Sequence, residues 1–278
     1  FYRRHDETIA PIGTNITHGC VANVQYINRK FVNMYLCSNG LPIDHAKSAD
    51  LFKGYGGLTT EFENRDNRMK NCLLAHGTKY WDNDKPRIDW KGMDGEDATN
   101  AITCNVFQGS GYQNQKWGTE RKVADTFEGY DFPIIRYAEV LLNYAEATFK
   151  YFGSADIKDA ELTMTAREAV NKVRKRTGVD MPDFPEGMSS SDFWSRYKNE
   201  RMVELAFEGH RFWDVRRWKE GGFTSIGRML ITKNSDDSFT YTRSIKALVW
   251  DDKMYFYPIP DSEIRKNPNL KQNPGWDK

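Results

Sequence analysis

Residues Glu200–Trp218 read ERMVELAFEGHRFWDVRRW. Met202, Val203, Leu205, Ala206 and Phe207 form one apolar group, and Phe212, Trp213, Val215 and Trp218 form a second. Glu200, Arg201, Glu204, Glu208, Arg211, Asp214, Arg216 and Arg217 are threaded among them. A charge pressed against packed rings survives only when paired and hydrogen-bonded, because desolvating an ion is costly. The stretch therefore predicts arginine–carboxylate pairs, with arginine suited by its planar, bidentate fork. A catalytic carboxylate pair and a basic nucleic-acid helix are the functional alternatives. The structural reading is preferred, because charge networks that join helices also place ionisable groups in such surroundings. It carries an expectation for Arg211: if it sits in a buried pair, its removal costs about 3–5 kcal/mol.

The chain has 278 residues and a formal net charge of +1. That length can bury a sizeable core in one or two domains. Aromatic residues make up 14% of the chain, while the mean hydropathy is −0.74. Disordered chains are poor in rings, so this mixture points to a polar globular surface studded with aromatics. Near-neutral charge argues against nucleic acid as the main partner, which demands a basic patch. No apolar run approaches the ~20 residues of a membrane helix, and no signal peptide opens the sequence. Cys20, Cys37, Cys72 and Cys104 lack C-x-x-C spacing, which disfavours zinc and leaves free or partly buried thiols as the expectation.

Residues 1–60 show no sustained helical period. Asn39-Gly40 signals a turn, and Phe31–Leu36 before it is a candidate short strand. Asn64–Asn71, NRDNRMKN, reads as a solvated turn in which Asp66 holds Arg65 or Arg68; such a surface pair is worth about 0–1 kcal/mol. Residues 76–120 read as loop. Tyr80, Trp81 and Trp90 stand there among Asp and Asn, and Trp117 lies close to glycines. Flat rings beside hydrogen-bonding groups suit a sugar, whose C–H face packs on an indole while its hydroxyls are bonded. These four are the candidate ligand residues; the alternative is that their rings anchor the loop to the body. Asp94-Gly95-Glu96-Asp97 lacks the spacing of a calcium loop, so neither metal nor cofactor is expected.

From Pro133 the pattern becomes helical. Ile134, Tyr137, Ala138, Leu141 and Ala145 share a face, and Gly153 is the expected stop. A second helix is expected from about Asp159 to Thr177, with Gly178 after it. Ser189–Asp192 fits a capping pattern for a third helix, which Gly209 breaks or bends. Ser244–Pro260 reads as extended, with Tyr255-Phe256-Tyr257 strand-forming. Asp261–Ile264 is expected to open a helical turn, and the Pro- and Asn-rich end is turn-like.

Four stretches together resemble the SusD/RagB family. The quoted segment matches its signature through Glu200, Arg201, Glu204, Leu205, Glu208, Gly209, Arg211, Asp214, Arg217 and Trp218. FPIIRYAEVLLNYAEATF and AVNKVRKRTGV resemble two of its helices, and FYPIPDSEIRKNPNLKQNPGW resembles its C-terminal motif. The resemblance implies a mainly α fold, a SusD-like body with TPR-like helical hairpins, long irregular loops and a few short strands. Residues 1–130 would be a loop-rich segment and 131–278 a helical region with a wrapping tail, together the C-terminal portion of such a protein. The implied function is binding, not catalysis. A cell-surface, outer-membrane lipoprotein of Bacteroidetes-type bacteria would capture an oligosaccharide glycan and pass it to a TonB-dependent SusC-like transporter. The lipid anchor would belong to an N-terminal region absent from this sequence. A glycoside hydrolase with paired carboxylates and a helical protein–protein scaffold without glycan affinity are the rival functions.

Overall fold

A computed structural model describes residues 1–6, 8, 13, 27–57, 59–74, 112–117, 127, 129, 131–236 and 238–277. Among these, helices carry the architecture: α1 (Arg29–Met34), α2 (Arg68–Cys72), α3 (Tyr137–Phe152), α4 (Ala166–Arg174), α5 (Ser190–Glu204), α6 (His210–Arg217) and α7 (Asp261–Lys266). Short strands pair antiparallel, β1 (Tyr2–Arg3) with β4 (Phe132–Pro133) and β2 (Leu73–Leu74) with β3 (Gln113–Asn114). A longer hairpin joins β5 (Ser225–Lys233) to β6 (Phe239–Ala247). The fold is mainly α with few strands, as the sequence predicts.

Helices α3 and α4 form an antiparallel pair. The Tyr144 hydroxyl donates to the Met164 carbonyl at 2.6 Å, and Arg167 N–H donates to the Ala155 carbonyl at 3.0 Å. Helix α3 buries Ala138, Leu141, Leu142, Ala145, Thr148 and Phe149, a stripe of helical period. It starts at Tyr137, not Pro133, because Phe132 and Pro133 are held in β4. Gly153, at φ 69°, ends it with its N–H on the Phe149 carbonyl. Helix α4 starts later than Asp159, because Thr165 and Glu168 form a reciprocal capping box at Ala166. Ser189 caps α5 by accepting from Asp192 N–H at 3.1 Å, as its spacing predicts.

Helix α5 is central. Phe193, Tyr197, Glu200 and Glu204 are all buried and recur at i, i+4, i+7 and i+11, so one inward stripe begins as rings and ends as carboxylates. Its aromatic end packs with Leu142, Phe149, Val170, Val173 and Phe184 in one core. Val203 and Ala206 join Phe31, Val32, Tyr35, Phe62, Met69, Leu73 and Met229 in a second.

Two expectations are corrected. Phe31–Leu36 is not a strand. Phe31, Val32 and Tyr35 are buried at helical spacing, and Asn28 caps the helix by accepting from Lys30 N–H at 2.9 Å. Tyr255-Phe256-Tyr257 is not a strand either, because Asp251 caps a 3₁₀ turn over Asp252–Tyr255. The true strands lie earlier, and the β5–β6 hairpin was legible only in the Ser244–Ala247 end of the extended reading. The tail doubles back on itself. The Gln272 amide accepts from Ile259 N–H at 2.7 Å and donates to the Ile259 carbonyl at 2.9 Å. It meets the body at α6, where Arg216 donates to the Met254 carbonyl at 3.3 Å.

Candidate functional site

The carboxylates of the central motif join the described elements. Glu200 receives Arg68 of α2 at 2.6 Å and Arg174 of α4 at 2.5 Å. Glu204 receives Arg68 at 3.0 Å, Arg136 at 3.0 Å and Arg176 at 2.7 Å. Glu208 takes both arms of Arg136, at 2.8 and 2.6 Å, and Lys116 at 2.5 Å. Burial alone would raise the Glu204 carboxyl. The Arg176 hydrogen bond and the Arg68, Arg176 and Arg136 charges overcome it and hold the pKa at about 2. Glu200 and Glu208 face the same burial penalty and are held below the ordinary carboxylate range by their cations.

A second network lies on the other side of α5. Arg201 donates to Asp214 at 2.8 Å and to the Asn143 side chain at 2.9 Å. Arg217 bonds Asp214 at 2.8 Å and also pairs with Glu146. The Trp218 indole donates to Glu146 at 2.8 Å, and the Tyr197 hydroxyl does so at 3.0 Å. The predicted arginine–carboxylate pairing thus holds for Arg201 and Arg217. It fails for Arg211, whose half-buried guanidinium makes no hydrogen bond or ion pair with the described residues; only the fields of Glu220 and Asp214 act on it. Those carboxylates are engaged by Lys198 and by Arg201 with Arg217.

The NRDNRMKN stretch is also corrected. It is no solvated turn: Arg65, Asp66 and Arg68 are 4%, 1% and 5% exposed. Arg65 donates to the Tyr35 carbonyl at 2.6 Å and to the Val32 carbonyl at 3.0 Å, fastening α1. Arg68 clasps Asp66 at 2.7 and 3.0 Å while reaching Glu200 and Glu204. A local reading misses this because those partners are distant in the chain.

Of the candidate ligand residues, Tyr80, Trp81 and Trp90 lie outside the described residues, as do Asp94–Asp97, Cys20 and Cys104. Their segment is nonetheless bounded by structure. The described residues on either side pair directly in the ladder, Leu74 with Gln113 and Leu73 with Asn114. The returning end is fixed in the core. Tyr112 is buried, and its hydroxyl donates to Glu61 at 2.6 Å. Lys116 pairs with Glu208. Trp117 packs against the second core, donates its indole N–H to the Phe207 carbonyl at 2.7 Å and stacks on Phe132 at 5.4 Å. Phe207 is itself held at φ 60°, a left-handed conformation that persists only where surroundings over-determine it.

A cleft of 710 Å³ opens between α1, α5, α6 and the start of β5. Met34, Met202, Ile226, Phe223 and Trp250 supply apolar lining, and Lys30, Lys198, Arg211 and Arg216 supply charge. The sequence reading did not single it out, because its lining comes from segments with no common spacing. Arg211 was the available signal, as an arginine of the motif that takes no carboxylate partner among the described residues. Cys37 and Cys72 are buried free thiols. No group of three or more metal-binding side chains occurs among the described residues. No described helix is long and apolar enough to cross a membrane.

The sequence profile of the SusD family matches residues 3–276. SusD-like protein P2 of Formosa agariphila is 30% identical over 151 residues, which cover 51% of this chain and 25% of that protein. A crystal structure of a SusD-like protein from Bacteroides fragilis superposes with a TM-score of 0.65 at 24% identity, covering 99% of this chain and 54% of its own. A SusD-like carbohydrate binding protein from the same species superposes with a TM-score of 0.64 at 22% identity, over 98% of this chain and 54% of its own. The chain therefore spans about half the length of these solved relatives and a quarter of that curated one.

Proposed function

This chain belongs to the SusD family, and on that premise we propose that it is part of a cell-surface receptor that captures a glycan. The supporting observation is the rooting of the aromatic segment. Residues 75–111 carry Tyr80, Trp81 and Trp90, and the described residues that flank them pair in the β2–β3 ladder. Each root sits beside the Glu200–Glu204–Glu208 network, through Arg68 on one side and Lys116 on the other. Binding groups on a segment fastened to a rigid body lose less entropy on binding. Trp117 would form the fixed base of the ring surface, with Trp81, Trp90 and Tyr80 offering faces to the sugar.

Binding without cleavage is the preferred chemistry. Glycoside hydrolysis needs a carboxylic acid kept protonated by a raised pKa. Glu146, Glu200, Glu204 and Glu208 are displaced the other way, each holding cations. In the proposed setting the whole protein is lipid-anchored on the outer membrane and delivers its glycan to a SusC-like TonB-dependent transporter. A similar chain, a solved relative from Bacteroides fragilis, is a SusD-like carbohydrate binding protein, which favours glycan binding.

A glycan array tests the reading, with products assayed for new reducing ends. Binding with no new ends is expected. Cleavage would replace it with the hydrolase, and a well-folded chain that binds a protein partner but no glycan would replace it with the scaffold.

A further inference from the structure

We propose that the cleft beside α6 is a second sugar site, specific for an acidic residue whose carboxylate or sulfate pairs with Arg211 while its ring lies against Trp250 and Phe223. The inference rests on the glycan-binding reading but uses none of the residues assigned to it.

Three observations carry it. The first is Arg211 itself. A guanidinium removed from water normally recruits acceptors, because unmet charge is costly. Here the two nearest carboxylates are committed elsewhere: Glu220 holds Lys198, and Asp214 holds Arg201 and Arg217. Arg211 lines the cleft without a protein acceptor among the described residues, and its planar donor fork matches a carboxylate or sulfate.

The second is the charge of the lining. Lys30, Lys198, Arg211 and Arg216 face Glu220 as the only carboxylate among the lining residues. A concave wall of one sign concentrates ligands of the other. Arg216 is held by its two terminal nitrogens, which donate to the Phe212 and Met254 carbonyls, while its Nε is buried without a partner among the described residues. It lies over the Phe212 ring at 3.5 Å and donates to the Phe212 carbonyl at 3.0 Å. Arg211 and the exposed Lys30 are the cations open to a ligand.

The third is the aromatic part of the lining. Trp250 meets Phe223 edge-on at 6.0 Å and Tyr255 at 5.1 Å, and its indole N–H donates to Asp252 at 3.2 Å. Its ring presses on Gly221 so closely that a Cβ there would stand 1.9 Å from Cζ2. The indole is therefore fixed in place before any ligand arrives, as a stacking platform should be. The cleft volume of 710 Å³ falls within the ~300–1,000 Å³ typical of small-molecule sites.

Titration calorimetry at low salt on the full chain tests this. The probes are methyl β-glucuronide, glucose 6-sulfate and methyl β-glucoside. At least one acidic sugar is expected to bind at least tenfold more tightly than the neutral glucoside. Arg211→Gln should weaken it at least tenfold with an unchanged melting temperature, and Arg211→Lys should restore part of the loss. Trp81→Ala and Trp90→Ala should leave it unchanged. Affinity for both acidic sugars no higher than for the glucoside, no binding of either acidic sugar, or indifference to Arg211→Gln would overturn the proposal. Array binding that depends on Trp81 or Trp90 but not on Arg211 would leave the glycan-receptor reading standing alone.

Discussion

Arg68 and Glu200 are 132 positions apart in the chain and 2.6 Å apart in the fold. Their contact ties α2 to α5, and Arg68 extends it to Asp66 and Glu204. Replacing Arg68 by alanine leaves three buried carboxylates short of a cation. Loss of one member of such a buried cluster costs about 3–5 kcal/mol. Urea unfolding of Arg68→Ala should show that loss, and a midpoint like that of the parent chain would mean the cluster contributes little.

The same cluster sets the response to acid. An unfolded glutamate titrates near about 4.3, whereas the Glu204 carboxyl is held at about 2 in the fold. A folded pKa below the unfolded one gives stability that is complete above the unfolded value and lost as pH falls through the folded one. For Glu204 this amounts to about 3 kcal/mol, lost between roughly pH 5 and pH 2. Glu200 and Glu208 are displaced in the same direction and add to the slope. Urea midpoints should therefore fall across that window, and Glu204→Gln should flatten the fall. A parent chain equally stable at pH 2.5 and pH 6 would contradict this.

Two arginines of the central motif should behave oppositely. Arg201 bonds Asp214 and Asn143 and is buried, so Arg201→Ala should cost about 3–5 kcal/mol. Arg211 makes no such bond, and Arg211→Ala should change stability by about 0.5 kcal/mol or less. Thermal melts of the two variants check this directly. A large loss for Arg211→Ala would show that it holds a partner that the described residues do not supply.

Gly221→Ala is predicted to act through packing. The added methyl would overlap the Trp250 ring, and overpacking of this kind costs about 1–3 kcal/mol. The variant should melt earlier and lose affinity for acidic sugars. An unchanged melt would mean that Trp250 moves aside freely.

Local spacing made the helices legible. The stripe of α3, the Ser189 cap and the Gly153 stop each lie within a few residues of what they control. Pairing inside the motif was legible for the same reason, since Arg217 and Asp214 are three positions apart. Arg65 and Arg68 were misread as solvated because nothing near them shows that the Tyr35 and Val32 carbonyls will meet the first and Glu200 and Glu204 the second. Helix α1 was misread as a strand because a short apolar run fits either period. The cleft was invisible for a stronger reason: Lys30, Arg211 and Trp250 share no element and meet only in the fold. Of the aromatic candidates, Trp117 carries a structural bond to Phe207 that its glycine-rich surroundings did not announce.

The most direct test of glycan capture is calorimetric titration of a glycan found on the array into the chain and its Trp81→Ala/Trp90→Ala double variant. Removing both stacking faces should weaken binding at least tenfold while the melting temperature stays the same. Undiminished affinity in a folded double variant would contradict the aromatic segment as the receptor surface.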